Sequence, residues 1–150
     1  MRMLWNIYLR SGSVFIPTVA KTVDGFYMDV DPVEVISADD KTGVVTAIKG
    51  VVDKGNPLIP TPTRSAFPKP AVLKYAKVKT WDTFEKKASC WKLSHENGAF
   101  QLRSLRKDVE GGWCDDGKSI DTFSGPTAID DLASAVFGEI ESFSQNKGTT

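Results

Sequence analysis

"SCWKLSHENGAFQLRSLRK", residues 89–107, carries the reading that decides the fold. Trp91 and Leu93 alternate with Lys92 and Ser94, "ENG" supplies a turn, and Phe100 and Leu102 alternate with Gln101 and Arg103. Successive side chains of a strand point to opposite faces, so two runs of period two joined by a turn specify an antiparallel hairpin with one buried face. A third strand is expected after Gly111-Gly112 around "WCDD", with "SIDTF" either continuing it past Asp116-Gly117 or forming a short return strand.

The N-terminal side repeats the pattern. From Leu4 to Leu9, Trp5, Ile7 and Leu9 fall on one side and Asn6 and Tyr8 on the other. "SGS" turns into "VFIPTVAKT", and "VDG", whose Asp24-Gly25 suits a hairpin, turns into "FYMDVDPVEVIS". Pro17 cannot donate to a ladder, which predicts an edge strand or a bulge there. The opening is a three-stranded meander, and the hairpin at 89–107 begins a second one.

Three helices are expected. Ser37, Asp39 and Asp40 precede Val44, Ile48 and Val51, which lie on one stripe that stops at Lys54-Gly55, giving a helix over 41–54. Gly43 and Gly50 weaken it. "TWDTFEKKA", capped by Thr80, gives a short helix over 81–88. Ile129, Leu132, Ala133, Val136, Phe137, Ile140 and Phe143 recur at three and four, the face of a helix over 127–143. "AVLKYAKV" (71–78) reads as a strand. The fold class is therefore α+β: a single globular domain over 1–144 with a frayed tail over 145–150, and a mainly antiparallel sheet from two meanders with the three helices packed on one face.

Between the first helix and "AVLKYAKV" lies "GNPLIPTPTRSAFPKP", residues 55–70, with five of the chain's eight prolines. Sixteen residues exceed the usual two to six or so for such a connection. Proline lowers the entropy lost when a loop is ordered, so the segment reads as a stiff surface connector that presents Arg64 and Phe67.

Charge balances over the whole chain, 19 basic against 19 acidic side chains, but not along it. Residues 64–107 hold eleven basic and three acidic side chains, and residues 108–150 hold two and nine. Such asymmetry points to an interaction surface unless the two segments neutralise each other in the fold. The acidic set comprises Asp108, Glu110, Asp115, Asp116, Asp121, Asp130 and Asp131. A compact acidic face docks against a basic cleft, steering association and fixing register.

Catalytic motifs do not accompany these features. No glycine-rich phosphate loop and no Gly-x-Ser-x-Gly elbow occurs, and a single histidine, His95, leaves no polyhistidine metal centre. The acids of "WCDDGKSID" have the wrong spacing for a calcium loop. Two cysteines, Cys90 and Cys114, form neither a metal knuckle nor a disulfide framework and read as reduced thiols. The N-terminus is too polar and short for a signal-peptide core, and no run approaches the ~18 apolar residues of a membrane span, so a cytoplasmic protein without membrane association is expected. The sequence carries no cofactor or metal signal.

The expected function is a non-enzymatic protein-binding module, specifically an inhibitor or immunity-type protein that occludes the active site of a toxin or nuclease with a basic cleft. The runner-up is a small enzyme using Asp and Glu, or Cys114 with His95, on a small molecule. A third reading is a nucleic-acid-binding domain using the basic segment 64–107, disfavoured because the aromatic residues fall in phase with the buried face rather than beside the arginines.

Overall fold

A computed structural model describes residues 2–107, 113–114 and 120–148. Among the described residues eight strands and four helices run in the order β1 (Met3–Arg10), β2 (Ser13–Thr22), β3 (Tyr27–Ser37), α1 (Lys41–Lys54), β4 (Leu58–Ile59), α2 (Val72–Ala76), α3 (Trp81–Lys86), β5 (Ala88–Glu96), β6 (Ala99–Lys107), β7 (Trp113–Cys114), β8 (Asp121–Ser124) and α4 (Ala128–Gly148). One α+β domain results, with a mostly antiparallel sheet.

The two meanders meet at their first strands. The order is β3-β2-β1-β5-β6-β7, with β1 antiparallel to β5 from Met3 opposite His95 to Arg10 opposite Ala88. "SIDTF" is a return strand: β8 lies on β6 with Asp121 opposite Leu102, and β7 takes the other end of the same edge. Pro17 lies opposite Val33, and the register between β2 and β3 shifts immediately after it. The proline thus marks a bulge in an interior strand, one of the two outcomes that its missing N–H allows.

Both faces of the sheet are covered. Trp5, Ile7, Leu9, Trp91, Leu93 and Leu102 point to one face, where the apolar stripes of α1 and α4 pack side by side. Tyr8, Phe15 and Cys90, the alternate positions, point to the other face and meet Val72, Leu73 and Phe84 of α2 and α3. The expectation of three helices on one face is thereby corrected. The α3 sequence has only one buried aromatic, Phe84, with Trp81 beside it, and these complete the cluster around Tyr8 on the opposite side.

"AVLKYAKV" is also corrected, from strand to the short helix α2. Leu73 N–H bonds to Pro70 O at 3.2 Å, and Lys77, left-handed at φ 60°, ends the helix. Proline just before the first turn was the overlooked signal, since its fixed φ suits a helix start. The helix expected over 127–143 runs on to Gly148.

Candidate interaction surface

The path of residues 55–70 is set bond by bond along the end of the sheet. Gly55, at φ 73°, closes α1, and Asn56 then turns its amide into the gap where β1 and β2 diverge. Lys21 N–H bonds to Pro57 O at 2.9 Å, β4 runs parallel to Lys21 and Thr22, and Val23 N–H bonds to Ile59 O at 3.0 Å. Asp24 N–H reaches Thr61 Oγ1 at 3.2 Å. A single 3-10 turn, Arg64–Ala66, precedes Phe67, whose ring stacks on Phe26 with centroids 6.3 Å apart at 17°. The connector is therefore a strap tied to the β2–β3 hairpin.

Apolar side chains are exposed on this strap and on the β2–β3 turn it is tied to. Val23, Phe26, Leu58 and Phe67 are 62%, 40%, 70% and 53% exposed, four of the six large hydrophobic residues exposed among the described residues. Isolated exposed apolar residues are ordinary, whereas a contiguous group marks an interaction surface. Arg64 is exposed on the same strap.

Beneath the strap, β3 and α2 leave a cleft. One cavity of about 580 Å³ is lined by Asp29, Asp31, Pro70 and Lys74 among others, and an adjoining one of about 330 Å³ by Met28, Asp29, Phe67, Pro68, Lys69, Pro70 and Trp81. Asp29 belongs to both. Its two carboxylate oxygens accept from Asn6 Nδ2 at 2.8 Å and Tyr8 Oη at 2.6 Å. Burial raises the Asp29 pKa against the lowering effect of those two bonds, and burial together with the Asp29 charge pushes the Tyr8 phenol well above its usual value. Asp31, at the rim, behaves oppositely: hydrogen bonds from Lys74 Nζ (2.7 Å) and Tyr75 Oη (2.8 Å) hold its carboxyl below the usual range.

The acidic residues lie elsewhere. Asp121 is exposed on β8, and Asp130 and Asp131 are exposed in the first turn of α4. Asp108, Glu110, Asp115 and Asp116 lie outside the described residues. From β3 to β8 the sheet has five strand spacings, on the order of 24 Å at about 4.8 Å each. The structure accordingly brings Asp121, Asp130 and Asp131 to the α4 side, and Arg64 and Phe67 to the opposite edge, as two separate regions. Asp130 is bridged by Lys49 Nζ at 2.6 Å, a lysine of α1 rather than of the basic segment 64–107. Asp131 accepts from Thr127 Oγ1 at 2.9 Å.

The groups weighed for catalysis do not converge. His95 lies opposite Phe100, with ring centroids 4.4 Å apart, while the backbone of Cys114 lies opposite Arg106. Six residues along β6 separate the two positions by roughly 20 Å, which dissolves the Cys-His pair. Among the described residues no three His, Cys, Asp or Glu side chains gather to hold a metal ion, and no helix is long and apolar enough to cross a membrane.

No family model and no curated protein matches the chain. Solved structures do share its fold. A protein of unknown function from Neisseria meningitidis has a TM-score of 0.64 at 12% identity, over 89% of this chain and 90% of that one. A chain of the CdiA-CT/CdiI toxin and immunity complex from Yersinia pseudotuberculosis has a TM-score of 0.63 at 9% identity, over 89% of this chain and 92% of that one. At such identities the likeness is one of fold.

Sequence reasoning reached Phe67 and Arg64 through the proline segment, but missed Asp29. The signal for Asp29 was faint: it is one of three acids along β3, and nothing in the sequence sets it apart from Asp31 and Glu34.

Proposed function

We propose that this chain is a non-enzymatic, immunity-type protein that binds a toxin or nuclease and occludes its active site. The observation that carries the reading is the shared fold with a chain of a toxin and immunity complex, which extends over nine-tenths of both chains. Within such a pair, the binding role is supported by the exposed group Val23, Phe26, Leu58 and Phe67, and by the distance between His95 and Cys114. Asp121, Asp130 and Asp131, together with Asp108, Glu110, Asp115 and Asp116, supply the negative charge that draws a basic cleft. Arg64 and Phe67 form the second contact edge. The cytoplasm, where a cell meets an incoming toxin, is the compartment that fits.

The test is co-expression with the product of the neighbouring gene, scored by co-purification and by survival of cells that make the toxin. Expected are a stoichiometric complex, restored growth, and an affinity that falls steeply with ionic strength. Neither complex nor protection overturns the reading. Asp115→Lys combined with Asp116→Lys should weaken the complex at least about tenfold, and unchanged affinity would remove the acidic-face contact.

A further inference from the structure

The carboxylate of Asp29 stands out because both of its hydrogen-bond donors are neutral. Asn6 and Tyr8 each donate one hydrogen bond, yet an ionised carboxylate offers about four acceptor positions. Among the described residues no cation pairs with it: Lys74 is tied to Asp31, and Lys49, paired with Asp130, lies on the opposite face. Aromatic rings wall the cavity that Asp29 shares with Phe67 and Trp81. Trp81 is held by Phe84 (5.4 Å, stacked) and Trp113 (5.5 Å, edge-on), so its ring is a fixed wall.

We infer that this cleft is the receptor for an arginine side chain of a partner protein, with Asp29 accepting from the guanidinium and Trp81 and Phe67 flanking its plane. A guanidinium is planar and weakly hydrated; it stacks on aromatic faces and presents several donors to one carboxylate. At about 330 Å³ the aromatic cavity lies at the small end of ligand sites, a size for one side chain rather than a cofactor. Lys69, which lines the aromatic cavity as well as the larger one, and Lys79 oppose a cation, but both are exposed, where water and salt screen them, while Asp29 is half-buried. Desolvation, which raises the Asp29 pKa, is relieved when a cation replaces the lost water. The inference rests on the reading that the chain binds a protein, and adds what that protein must present.

The probe is N-acetyl-arginine amide, titrated into the full chain at low salt and followed by amide and indole chemical shifts. Saturable shifts are expected at Met28, Asp29, Phe67 and the Trp81 indole, with a dissociation constant in the range of roughly 1–10 mM for so small a ligand. N-acetyl-citrulline amide, its neutral isostere, should bind at least about fivefold more weakly. Asp29→Asn, folded by circular dichroism, should lose the arginine shifts, and Phe67→Ala, a change at an exposed position, should weaken them several-fold. Equal binding of arginine and citrulline, undiminished binding to Asp29→Asn, or no saturation by arginine amide overturns the proposal. So does saturation of the same residues by inorganic phosphate alone, which would assign the cleft to Lys69 and Lys79. These outcomes are separate from toxin protection: a chain that protects cells but ignores arginine keeps its function and loses this pocket, and the reverse result does the opposite.

Discussion

Asn56 exchanges two hydrogen bonds with the backbone of Leu4: its Nδ2 donates to Leu4 O at 2.8 Å and its Oδ1 accepts from Leu4 N–H at 3.1 Å. The same Nδ2 donates to Val19 O at 2.9 Å. The register of β1 with β2 covers only Tyr8–Arg10 against Ser13–Phe15, so beyond Tyr8 the strands part and the amide serves there as a substitute for a strand. Asn56→Ala leaves three backbone groups short of a partner and should cost about 2–4 kcal/mol, measured as a lower urea midpoint at unchanged slope. Asn56→Asp has the same shape, but sets oxygen lone pairs against two carbonyls, and should cost at least as much.

Two glycines of α1 separate the demands of the cap from those of the helix. A Cβ at Gly43 would sit 2.9 Å from Ile36 Cγ2 and closer still to the Asp40 carboxylate that caps the helix through Gly43 N–H. At Gly50 a Cβ would meet nothing within 4 Å. Gly50→Ala should therefore raise stability by about 0.5–1 kcal/mol, the helix-propensity gain, whereas Gly43→Ala should lower it despite the same gain. Paired thermal melts of the two variants decide it.

Legibility of the fold followed burial. Where apolar and polar side chains alternate, as in 91–94 and 100–103, or recur at helical spacing, as along α4, the period of the sequence stated the element directly. It failed at α2, where five residues make too little of a turn pattern for period to speak and only Pro70 marks the start. It also failed for the side on which α3 packs, because Cys90, Phe15 and Tyr8 form a second apolar face that alternation treats as the polar one. The strand order was beyond reach because β1 pairs with β5 between residues 78 to 92 positions apart, and no local signal specifies that match.

The candidate surface was half legible. Proline spacing announced a stiff strap, and Phe67 was visible as an aromatic residue with no periodic neighbours. Its stacking on Phe26, and the cleft that the strap roofs over Asp29, depend on contacts some forty residues apart in the chain. Charge counting marked out an acidic segment, of which Asp121 lies on β8 and Asp130 and Asp131 on α4, but the ion pair of Asp130 with Lys49 depends on how α1 and α4 pack.

Cys90 is 2% exposed at the centre of the α2–α3 face, and burial pushes its thiol far above the usual range. The thiolate is the reactive form, so Cys90 should resist alkylation in the native protein at pH 8 and react fully in denaturant. Peptide mapping after iodoacetamide treatment reads it directly. Rapid native labelling of Cys90 would mean that this face opens at low cost.

Asp29 should make its own contribution to stability run against the usual direction for a carboxylate. Its pKa in the folded chain lies above the ordinary value of 3.8, so between those two values the native state holds more protons than the unfolded state. Stability from this group is then greatest below the unfolded pKa and falls as pH rises through the folded one, staying low at neutral pH. Asp29→Asn removes the titration while keeping an acceptor for Asn6 or Tyr8. The difference in unfolding free energy between wild type and variant, followed from pH 4 to pH 7.5, should shift steadily in favour of the variant and then level off. A difference that is flat with pH would mean that Asp29 carries its charge in the fold as easily as in water, and a shift in favour of wild type would mean that a cation already sits beside it. Adding arginine amide at pH 7.5 should reverse part of the loss in the wild type and leave the variant unchanged, because a ligand that binds only the native state stabilises it by mass action.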